Sequence, residues 1–189
     1  MLGLDPLVTS SLLILAAGGN NLCDMAKPTQ INVVPSTKNV NFITNQTLAD
    51  LQRADINTIN PHGFNGVSVT QGYSEGKISM RSEVELDYEF LPKYGAVCLW
   101  YKRIDVKFDI NPNVYIAKEV NEDRCMGPAV REHEMKHVNV DKQVVNKYAR
   151  IIGQKLYDGL KARGFVAGPV NADDAENVAD RMKKTALQI

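Results

Sequence analysis

Between residues 83 and 163 the hydrophobic pattern changes from strict alternation to helical spacing, and that change restricts the folds open to the chain. Val84, Leu86, Tyr88 and Phe90 alternate with Glu83, Glu85, Asp87 and Glu89. Pro92-Lys93-Tyr94-Gly95 supplies a turn. The next strand sets Cys98, Trp100, Ile104, Val106, Phe108 and Ile110 on one face, with Arg103, Asp105, Lys107 and Asp109 on the other. A period of two with one apolar and one charged side predicts an antiparallel hairpin over about 78–110, buried on one face and wet on the other. Its facing charges can pair across the strands. A helix is predicted over about 128–163. Pro128 suits its first turn, Asp123 stands upstream as a cap, Lys155, Lys161 and Arg163 gather at its far end, and Gly164 stops it. Strands followed by one long helix give an α+β class, an antiparallel sheet packed on that helix.

At 189 residues the chain suits one main domain. The expected organisation is an apolar leader over 1–19, an α+β domain over 20–164, and a linker with a short terminal helix over 165–189. Within it, 31–43 reads as strand material broken by Pro35, and Thr47 to Ala54 as a short helix capped by Thr47. Residues 57–76 are rich in turn formers, 165–171 read as linker, and Asp173 to Leu187 as a polar, loosely docked helix. Lys plus Arg equals Asp plus Glu at 22 each, so no basic excess points to nucleic acid.

The run from Leu7 to Ala17 has the length of a signal-peptide core and is short for a membrane span, although no Lys or Arg precedes it. Export to a periplasmic or extracellular space is the expectation. There, a Cys98–Cys125 disulfide would tie the hairpin to the helix; in a reducing compartment those two would be buried free thiols, and Cys23 is left over in either case.

His133-Glu134-Met135-Lys136-His137 is an H-E-x-x-H sequence inside the predicted helix. Residues four apart on a helix stand about 6 Å apart along its axis and about 40° around it, so two imidazoles can converge on one Zn²⁺. Glu134 leaves the helix about 100° from His133, where it can take a proton from metal-activated water. Positions 130, 133, 137, 144, 148 and 151 follow at helical steps, which predicts that the histidines and Tyr148 point into the fold. Two packed histidines in a core would instead need other polar partners.

His133, Glu134 and His137 match the signature of the zincin metallopeptidases, and the chain resembles that family. The resemblance implies an active-site helix beneath a sheet, a catalytic zinc and hydrolysis of peptide or protein substrates. Arg131 to Val138, with Cys98-Leu99-Trp100 and Cys125 ahead of it, also resembles a looser family of bacterial exported proteins called predicted zinc-dependent proteases. That likeness covers roughly residues 60 to 163 and implies export and a bacterial source.

The continuation that gives metzincins their third ligand is absent after His137. His62, Glu119, Glu122, Asp141 and Glu176 all remain candidates for a third ligand. Asp141 lies about 12 Å along the axis from His133, so it better suits an acceptor for the outer N–H of His137. Tyr73 and Tyr115 are candidate donors to an oxyanion. A different class of reading is a non-catalytic envelope or partner-binding domain with a structural metal.

Overall fold

The computed structural model describes residues 11–13, 22–23, 28–54 and 69–189. Its strands are β1 (Ser11–Leu13), β2 (Gln30–Thr37), β3 (Asn41–Ile43), β4 (Gly72–Leu91), β5 (Ala96–Ile116) and β6 (Val166–Asn171). Its helices are α1 (Leu48–Arg53), α2 (Lys118–Glu122), α3 (Met126–Arg163) and α4 (Ala175–Leu187). The class is α+β. No described helix is long and apolar enough to cross a membrane.

The sheet order is β1-β2-β5-β3, with β4 and β6 also pairing to β5. β1 runs antiparallel to β2 and β6 antiparallel to β5, but β3 runs parallel to β5, with Phe42 opposite Val114. The sheet is therefore mixed, which corrects the antiparallel sheet expected above. Alternation reports which side chains face the core, not the direction of a neighbouring strand. The long stretch of chain between β3 and β5 permits the parallel pairing.

The chain forms two compact units. The first comprises Met1–Ser36, Met80–Phe108 and Val145–Ile189. Its core joins Val97, Leu99, Tyr101, Ile104 and Val106 of β5 to Ala149, Leu156 and Leu160 of α3. Cys98 and Trp100 lie in a separate cluster with Cys23. The expected single apolar face of β5 is thus divided: Tyr101 and Ile104, three residues apart, share one cluster, so the alternation changes phase at the exposed pair Lys102–Arg103. On β4, Val84 and Leu86 pack on the core, whereas Tyr88 and Phe90 of the same predicted stripe are 67% and 51% exposed. The expected cross-strand charges do pair, Lys102 with Glu85 at 2.6 Å and Arg103 with Glu85 at 3.3 Å.

The remaining differences in this unit have local causes. The segment expected as linker forms β6, because Val166 and Ala167 can pair with Trp100 and Leu99. α4 is docked, not loose: Met182 and Ala186 are buried and the Tyr101 hydroxyl donates to the Met182 carbonyl at 2.7 Å. β2 continues through Pro35. Cys23 and Cys98 form the disulfide, their Cα atoms 5.4 Å apart, while Cys125 is a free exposed thiol. The Cys98–Cys125 bridge is excluded, since the Cys98 sulfur is already bonded inside the cluster with Trp100. Gly168 sits where a β-carbon would come within 3.0 Å of the Cys23 sulfur, which requires glycine beside the bridge.

The second unit comprises Thr37–Ser79 and Asp109–Val144. Val114 and Ile116 of β5 bury against Val120, Val138 and Leu51. Thr47 caps α1 as expected, in a capping box with Asp50. Asp123 caps α3, its Oδ1 accepting from the backbone N–H groups of Cys125 and Met126 at 2.8 Å each. Those bonds hold its carboxyl below the usual value, and they start the helix two residues ahead of Pro128.

Candidate metal centre on helix α3

The second unit carries the H-E-x-x-H sequence. α3 buries Glu134, Val138, Val145, Ala149, Leu156 and Leu160, a stripe at steps of four and seven. His133 and His137 lie off that stripe, by about 140° and 100° from Val138, and both are exposed. Val144, Tyr148 and Ile151 share their side of the helix and are 44%, 55% and 37% exposed. This corrects the expected orientation, in which that face turned into the fold and Tyr148 belonged to the core. Both stripes have helical spacing; the one rich in Val, Ala and Leu without histidines loses more by exposure and takes the interior.

The two imidazoles nevertheless converge. Their Nε2 atoms are 3.3 Å apart, and the rings meet edge to face with centroids 5.0 Å apart. Two nitrogen ligands of a tetrahedral ion, each about 2.1 Å from it, stand about 3.4 Å from each other. The pair fits two positions of a zinc site. The same approach lets one neutral imidazole donate a hydrogen bond to the other.

Glu134 stands between the two environments. Its residue is only 5% exposed, against the start of β4, where a β-carbon on Gly72 would lie 3.6 Å from Glu134 Cγ. Burial pushes its carboxyl above the usual value, and the nearby His133 and His137 oppose that shift. No buried side-chain oxygen or nitrogen among the described residues lacks a partner. Gly72 was not anticipated from the sequence. A glycine at the entry of a strand is the available signal, since it marks a close approach by another element.

Among the described residues, no third-ligand candidate joins this pair. His62 lies outside the described residues. Glu119 accepts from the Leu48 N–H at 3.0 Å, at the start of α1, and Glu122 stands 4.0 Å from Lys118. Asp141 is placed against Gly76, where a β-carbon would meet its Oδ2 at 2.6 Å, and makes no hydrogen bond to His137. The role of outer acceptor expected for it is therefore not realised. Glu176 lies in the first turn of α4, in the other unit. Among the described residues, no group of three His, Cys, Asp or Glu side chains comes together.

Comparison of the chain with family models, with curated proteins and with solved structures gives no match. The functional reading therefore rests on the residues themselves. Tyr73 and Tyr115, the candidate oxyanion donors, stack on each other with centroids 4.4 Å apart and planes 9° apart. The Tyr115 hydroxyl donates to Glu75 at 3.4 Å. Burial raises the pKa of both phenols, with Glu75 adding to the effect at Tyr115. Gly72 faces α3, and by strand alternation Tyr73 leaves β4 on the other side, where it stacks on Tyr115.

Proposed function

We propose that this chain is an exported zinc-dependent peptidase in which His133 and His137 bind the ion through Nε2 and Glu134 is the general base. The observation that carries the reading is the 3.3 Å approach of the two Nε2 atoms beside a buried glutamate. Bound there, zinc supplies Lewis acidity that brings the pKa of a water towards 7. With the ion held by His133 and His137, Glu134 would act as the general base for the attacking water and would pass the proton to the leaving nitrogen as the C–N bond breaks, giving a carboxylic acid and an amine. Burial raises the pKa of the Glu134 carboxyl, which makes it a stronger base than an exposed carboxylate. The Cys23–Cys98 bridge supports the export part of the reading, because buried disulfides persist in oxidising compartments.

The test is hydrolysis of a quenched peptide pool by zinc-loaded wild type and Glu134→Gln. Loss of cleavage by at least about a hundredfold with zinc retained is expected. Unchanged cleavage in Glu134→Gln would refute the mechanism. The exposure of both histidines favours one other reading, a non-catalytic envelope or partner-binding domain with a structural metal. A closed four-ligand site with no exchangeable water would select it.

A further inference from the structure

The face of α3 that carries His133 and His137 also carries exposed apolar side chains within the same unit. Met126 is 39% exposed, Val140 53% and Val144 44%. On the helical wheel, Met126, His133, His137, Val140 and Val144 fall within an arc of about 60°, well apart from the buried stripe at Val138. Isolated exposed apolar residues need no explanation, but these extend one line on both sides of the paired imidazoles.

We infer that this line is the substrate track of the proposed peptidase, and that it selects extended peptides with apolar side chains at alternate positions. The inference rests on the zinc-peptidase reading, because the occupant is whatever the two histidines act upon. The spacing argues for an extended chain. Measured from the midpoint of His133 and His137, Val140 lies about 7.5 Å along the axis and Val144 about 13.5 Å. An extended peptide repeats side chains on one face every 6.6 Å or so, so two and four residues from the scissile bond span about 6.6 and about 13 Å. Val140 and Val144 thus match the second and fourth residues on one side of the cleaved bond. Met126, about 13.5 Å the other way, matches the fourth residue on the opposite side.

The experiment uses the full zinc-loaded chain and two quenched peptides, one with Leu and one with Ser at the second and fourth positions on each side of a common central bond. Wild type, Val140→Ser, Val144→Ser and the double variant are compared, with zinc content measured for each. The wild type is expected to prefer the Leu peptide by about tenfold or more in kcat/KM. The double variant should lose most of that preference, through a raised KM for the Leu peptide, with zinc content unchanged. A wild type that cleaves both peptides equally, or variants that keep the preference, would overturn the substrate track and leave the peptidase reading standing. A zinc-bound wild type that cleaves neither peptide nor any member of the peptide pool would overturn both.

Discussion

Gly72 faces Glu134 across the start of β4: a β-carbon there would stand 3.6 Å from Glu134 Cγ and only 2.8 Å from both Val130 Cγ1 and the Tyr115 carbonyl oxygen. The Tyr115 oxygen belongs to a strand and cannot swing aside. Gly72→Ala is therefore expected to destabilise the fold by about 1–3 kcal/mol, the usual cost of overpacking. Urea denaturation of the two proteins checks it, and an unchanged midpoint would show that the strand and helix are not this close.

The rotation of α3 about its own axis is testable with two valines only two positions apart. Val138 is 1% exposed and Val140 is 53% exposed. Val138→Ala should cost about 2 kcal/mol, from two lost methyl groups and the space they leave. Val140→Ala should change stability by less than about 0.5 kcal/mol. Equal effects, or the reverse order, would return the histidine face to the interior.

That rotation is also the clearest limit of the sequence. The helix, its cap at Asp123, its stop at Gly164 and its H-E-x-x-H were readable because each depends on a few neighbouring residues. Its phase was not, since the line His137–Val144–Tyr148–Ile151 and the line Val138–Val145–Ala149–Leu156 both repeat at helical steps. Which one is buried depends on the sheet beneath. The same holds for β3, whose parallel partner lies some seventy residues away, and for Cys98, whose three possible states differ only in tertiary placement. The strand β6 was hidden because Gly168 and Pro169 are turn formers, and only pairing with β5 shows that the segment is extended.

Thiol chemistry separates the two cysteine pairings. The native chain should carry one reactive thiol, on Cys125, and three after unfolding with reductant. Cys23→Ser should lower stability by about 2–5 kcal/mol, given the long loop that the bridge closes. Labelling of Cys23 in the native oxidised protein would contradict the assignment.

Asp123 links the start of α3 to pH. Its carboxyl is held below 3.8 by bonds from the Met126 and Cys125 N–H groups, so the folded state favours the ionised form. That contribution is present above the unfolded value and is lost as pH falls through the lower folded one. Asp123→Ala should therefore melt below wild type at neutral pH, with the gap closing in acid. A gap of constant size from neutral pH down into that acid range would show that ionisation at this cap contributes nothing.

Zinc stoichiometry of purified wild type beside His137→Ala, with circular dichroism on both, tests the central claim most directly. About one zinc per chain in the wild type, lost in a variant whose spectrum is unchanged, is the result expected from the exposed, converging pair. No zinc in the wild type after reconstitution would contradict it, and would leave His133 and His137 as two hydrogen-bonded imidazoles on the surface of a helix.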